Sequence, residues 1–78
     1  MDAAVELAKC REAAEKAVKY LIGVADPALA AKTTERFATA LVEARADALR
    51  EFTANWEEPC YIAEELEREA RSRRVRGL

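Results

Sequence analysis

The sequence predicts an all-α fold, a small three-helix bundle or helical hairpin that self-associates, and three observations predict it. Only two glycines and two prolines punctuate 78 residues, and the bulk of the chain is Ala, Glu, Arg, Leu and Lys, residues that favour helices over sheets. No segment alternates apolar and polar at period two, whereas apolar residues recur at three- and four-residue spacing through most of the chain. Of the 40 residues in the hydrophobic class, 18 are alanine, so a single domain of this length buries little area and gains from a partner surface.

The first helix is expected over residues 2 to 22, with Asp2 as its N-cap and Gly23 permitting a left-handed exit. Ala3, Leu7, Cys10, Ala14, Ala17, Leu21 and Val24 form a heptad seam, and Val5 and Val18 widen it. Glu12 with Lys16 and Glu15 with Lys19 make i,i+4 pairs on the opposite, solvated side.

A second helical region opens at Asp26-Pro27, an N-cap followed by proline at the first helical position. Unbroken to Trp56 it would overhang the first helix and expose Leu29, so a break is expected at Thr33-Thr34, giving a short helix over 27 to 32 and a long one over 34 to 56. With Phe37 placed at 0° and about 100° added per residue, Phe37, Ala38, Leu41, Val42, Ala44, Ala48, Leu49, Phe52 and Trp56 fall within an arc about 160° wide. An arc that broad marks a central helix with two neighbours. Arg45 falls in its middle.

The third helix is expected over 59 to 73 with Pro59 in its first turn, and Cys60, Ile62, Ala63, Leu66 and Ala70 as its apolar side. Glu64 with Arg68, Glu67 with Arg71 and Glu69 with Arg73 read as an i,i+4 charge ladder, and the end of the chain, 74 to 78 as a basic tail, is expected to fray.

Several function classes lose their usual residues. There is no histidine, one serine (Ser72) and no glycine-rich loop, which removes most routes to a nucleophile, a neutral-pH base or a phosphate cradle. Cys10 and Cys60 stand apart without CxxC spacing and read as free buried thiols. No enzyme, cofactor or metal is expected. No long apolar run or basic-then-apolar leader is present, so a cytoplasmic protein is the expectation. The alanine and arginine content is compatible with a GC-rich bacterial or phage gene.

Binding of another protein is the expected function, as an adaptor, inhibitor or regulatory subunit, with homodimerisation by two hairpins in a four-helix arrangement. Arg45 has two readings: its head meets a carboxylate of a neighbouring helix, such as Glu6 or Glu65, or it points at an acidic group on another chain. Phe52, Trp56 and Tyr61 either plug one end of the bundle or form a binding hot spot. Glu57, Glu58, Glu64, Glu65, Glu67 and Glu69 form an acidic set that is either a solvated helix face or an imitation of a phosphate track. The alternative function is a nucleic-acid-associated regulator using Arg71, Arg73, Arg74 and Arg76. Residues 1 to 70 hold 9 basic and 15 acidic groups, whereas 71 to 78 hold four arginines and no acid.

Overall fold

The computed structural model describes residues 2–21, 26–55 and 60–78. These residues form three helices, α1 (Ala3–Leu21), α2 (Pro27–Phe52) and α3 (Tyr61–Val75), in an all-α bundle. The expectations placed on Ile22, Gly23, Val24, Trp56, Glu57, Glu58 and Pro59 lie outside the described residues. No helix is long and apolar enough to cross a membrane among the residues described.

Two aspartates set the helix starts. Asp2 Oδ1 accepts from the Ala4 N–H at 3.1 Å, and Asp26 Oδ1 accepts from Ala28 and Leu29 N–H at 3.1 and 3.2 Å, satisfying donors that have no carbonyl one turn back. Pro27 follows at the first helical position, as its fixed φ suits.

The expected break at Thr33-Thr34 is absent, and α2 runs unbroken for 26 residues. Thr34 Oγ1 donates to the Ala30 carbonyl at 2.8 Å and Thr39 Oγ1 to the Glu35 carbonyl at 3.0 Å. Each hydroxyl is thus satisfied by the preceding turn instead of capping a new helix. The overhang that the break was meant to avoid is present, and Leu29 is half exposed. At its far end α2 stops at Phe52, four residues short of Trp56, where Thr53 N–H and Oγ1 both donate to the Leu49 carbonyl.

Helix α3 starts at Tyr61 with Cys60 at the N-cap. The chain end does not fray as expected. Gly77 adopts φ +82°, and Gly77 N–H and Leu78 N–H donate to the Arg74 and Arg73 carbonyls at 3.0 and 2.9 Å, a Schellman closure that needs a residue free to turn left-handed.

Ion pairs fix the directions. Glu6 meets Arg45 and Arg11 meets Glu35, while Glu67 meets Arg50 and Arg74 meets Glu43, so α1 and α3 both run antiparallel to α2. Helix α2 is the central element, and the outer two meet each other sparingly.

The buried faces are rotated from those expected. In α1 the buried residues are Glu6, Cys10, Ala14 and Val18, one every fourth position, a ridge that fits a neighbour's groove. Ala3, Leu7 and Ala17 of the heptad seam are only half buried. In α2 the buried set is Thr34, Ala38, Thr39, Val42, Ala46 and Leu49, which on the same wheel spans about 60° to 200°. The apolar arc began some 80° earlier, so Phe37, Ala44, Ala48 and Phe52 are left on the outside. The molecule is correspondingly open. Its radius of gyration is 13.8 Å, against about 11.5 Å for a compact chain of this length.

Candidate protein-binding face

Arg45 is neutralised within the chain. Its Nε donates to Glu6 Oε2 at 2.8 Å, with the Glu6 side chain 6% exposed and that of Arg45 41% exposed. The guanidinium lies on the rim of α2, where its stem packs and its head stays in reach of water. Of the two readings of Arg45, the intramolecular one describes its Nε contact. Cys10 is one turn from Glu6, and burial, with Glu6 adding to it and Arg45 opposing, pushes its thiol above the ordinary range. Both cysteines are free, and a protonated buried thiol is a small hydrophobe and a poor nucleophile.

Beside this pair runs a shallow apolar groove between α1 and α2, lined by Ala13, Leu41, Ala44 and Ala48 with Lys9 and Arg45 at its edges. It continues along α2 past Leu49 to Phe52. Phe37, 38% exposed, and Phe52, 72% exposed, lie at the two ends of this strip. Alanine side chains keep the strip low between these ends, which suits close approach by another helix.

Phe52 and Tyr61 do not plug the end of the bundle. Phe52 is mostly exposed, Tyr61 is 71% exposed, and Trp56 lies outside the described residues. Their positions explain this: Phe52 ends α2 on the side away from α3, and Tyr61 is the first residue of α3, ahead of its buried run Ala63, Leu66, Ala70.

The C-terminal arginines are not a free basic tail. Arg73 is buried and donates from Nη1 to Glu35 Oε2 at 2.8 Å and to the Glu35 carbonyl at 3.3 Å. Its Nε lies 3.4 Å from Glu69 Oε1, close enough for charge attraction but not aligned to donate. Arg74 pairs with Glu43 on α2, and Arg76 Nη2 lies 3.6 Å from Glu69 Oε1. Arg71 remains on the surface, beside the α2–α3 groove. Three of the four arginines thus face an acid of this chain, and of these only Arg73 is buried.

The charge ladder of α3 is also rearranged. Glu69 keeps Arg73, but Arg68 pairs with Glu65 at 2.8 Å and Glu67 reaches across to Arg50 at 2.6 Å. On α1, Glu12 keeps Lys16, while Glu15 pairs with Arg11 in place of Lys19. Only Glu67 left its own helix for a partner on another; the other exchanges stay within one helix. Glu65, Glu67 and Glu69 are engaged, Glu64 has no ion pair among the described residues, and Glu57 and Glu58 lie outside them.

One residue escaped the sequence reading. Glu35 accepts from Arg11 of α1 through Oε1 at 2.5 Å and from Arg73 of α3 through Oε2, joining three helices at a single carboxylate. Hydrogen bonds from Arg11 and then Arg73 hold its carboxyl below the usual range. Arg50 does the same for Glu67. Glu35 follows the two threonines, and an acid in that place reads equally well as an ordinary first-turn acid. Among the described residues no group of histidine, cysteine and acidic side chains could hold a metal ion.

Comparison with known proteins finds no matching family model, no matching curated protein and no matching solved structure.

Proposed function

We propose that this chain is a small non-enzymatic protein-binding module, an adaptor, inhibitor or regulatory subunit, acting through the outer face of α2. The observation behind this reading is the rotation of α2. Its widest apolar arc is turned partly away from both neighbours, so that Phe37, Ala44 and Ala48 face outward while Leu41 is only half covered. Contiguous apolar surface rimmed by charge, here by Lys9, Arg45 and Glu51, is the usual mark of a protein contact.

The test is capture from native lysate by the immobilised chain. Wild type should retain a protein that Ala44→Glu does not, while a control on the far side, Lys19→Glu, retains it. Equal capture by all three variants, or by none, overturns the reading. Deleting residues 71 to 78 is a poor control for the arginine alternative because it removes the buried Arg73. Arg71→Ala with Arg76→Ala spares it. Retention that falls steeply with salt and vanishes in that pair assigns binding to the arginines instead.

A further inference from the structure

We propose that the end of the bundle where α1 and α3 finish is a second binding surface, which takes the phosphate backbone of a nucleic acid through Lys32, Arg36, Arg71 and Arg74. It goes beyond the protein-binding reading, lies on a different face of α2 and does not depend on it. The placement of charge carries the proposal. Divided across the middle, between Cys10 and Arg11, between Ala40 and Leu41 and between Ala70 and Arg71, the described residues hold nine cationic and four acidic side chains in one half, and four cationic and nine acidic in the other. The halves thus carry +5 and −5, and the chain's net −2 comes from Glu57 and Glu58, outside the described residues.

Ion pairing within the chain does not erase this division. Lys19, Lys32, Arg36 and Arg71 of the cationic half have no ion pair among the described residues, whereas its acids are paired or, in Asp26, cap a helix. The described acids with neither pair nor cap, Asp47, Glu51 and Glu64, all stand in the other half.

Two helices bring four of the cations to one edge. With Phe37 again at 0°, Lys32 and Arg36 fall at about 220° and 260°, in the sector of Glu43 and Asp47 at about 240° and 280°, which line the groove between α2 and α3. Arg71 and Arg74 line the facing rim, and Arg74, though paired with Glu43, keeps most of its side chain in solvent. Because α3 runs antiparallel to α2, its last turn comes up beside Arg36. Lys32 and Arg36 stand about 6 Å apart along α2, and Arg71 and Arg74 about 4.5 Å apart along α3. A duplex strand carries a charge for about every 3.4 Å of axis, so it meets both pairs at any register, whereas an acidic protein segment must place its carboxylates to match. The acidic half is too distant to oppose it: half of the molecule's 49 Å length is some three screening lengths of about 8 Å at physiological salt.

Fluorescence anisotropy of a labelled mixed-sequence oligonucleotide, titrated with the purified chain, tests this. Affinity should fall with salt at a log–log slope of about −3 for a single strand and about −4 for a duplex, the values for four phosphate contacts. Sequence should not matter, because contacts to phosphate read no base edges. Arg36→Glu and Arg71→Glu, on different helices, should each lower affinity at least about fivefold with unchanged circular dichroism. Lys32→Ala with Arg71→Ala should give a like loss without introducing an acid. Lys9→Glu makes the same change of net charge in the acidic half and should alter affinity less than about twofold. No saturable binding at about 25 mM salt, or equal losses from Arg36→Glu and Lys9→Glu, overturns the proposal. Displacement of the oligonucleotide by polyglutamate at matched charge overturns the phosphate backbone as occupant and assigns the edge to acidic protein. Capture lost on Ala44→Glu tests the protein-binding reading alone, so the two fail separately.

Discussion

Helix α2 packs against α3 and against α1 with different materials. The main core cluster draws Val42, Ala46 and Leu49 from α2 and Ala63, Leu66 and Ala70 from α3, but only Cys10 from α1. Charge follows the same division: three ion pairs tie α2 to α3, through Glu35, Glu43 and Arg50, and two tie it to α1, through Glu35 and Arg45. Leucine fills space and alanine only permits approach, so the α3 side holds most of the core while a shallow groove runs along α2 on each flank. The difference places most of the buried core on one flank of α2.

The sharpest way to break this contrast is to cut the core on each flank. Leu66→Ala should cost about 3 kcal/mol, since it empties a site with no exposure, within the roughly 2 to 5 kcal/mol found for such truncations. Cys10→Ala should cost about 1 kcal/mol because it removes one atom. Urea denaturation measures both, and similar losses would erase the distinction between the flanks. Next comes Glu35→Ala, expected to cost about 2 kcal/mol because it strands the Arg73 side chain, 11% exposed, without its charge-assisted bonds.

Arg45→Glu sets a like charge beside the buried Glu6 and should cost about 1 to 2 kcal/mol, moderated by the exposure of Arg45. The chain should stay helical by circular dichroism. Acid titration gives a smaller effect. Glu35 and Glu67 are held below the ordinary value of 4.5, so their contribution is complete above that pH and is lost as pH falls through the depressed folded values. Stability should therefore be level from neutrality to about pH 5 and decline below it, and Glu35→Gln should flatten the decline. Ala44→Ser, on the open strip, should change stability by no more than about 0.5 kcal/mol.

Much of this architecture was readable in the sequence. Glycine and proline placement marked three helical regions, although the second was wrongly expected to break into two; Asp26-Pro27 marked a start that the Asp26 bonds confirm, and the width of the α2 arc marked it as central. Glu6 was one of two acids expected beside Arg45, and it is the one that pairs. The rotation of the buried face was not readable, because alanine fills both the covered and the uncovered sides of α2 and apolarity alone cannot rank them. The hydroxyls of Thr33-Thr34 fit a cap as well as a bond to the previous turn, and the latter won at Thr34. Arg73 was hidden by its company. Within a run of arginines at the chain end nothing distinguishes the one that turns inward.

The shared carboxylate of Glu35 has a consequence for how the bundle comes apart. If α1 lifts away, Glu35 keeps Arg73; if α3 lifts away, it keeps Arg11. Neither detachment strands a lone anion, but both together do, so losing Arg11 and Arg73 jointly should cost more than the sum of the separate losses in a double-mutant cycle. The bundle is therefore fastened with a spare. Either outer helix alone leaves Glu35 with one arginine partner.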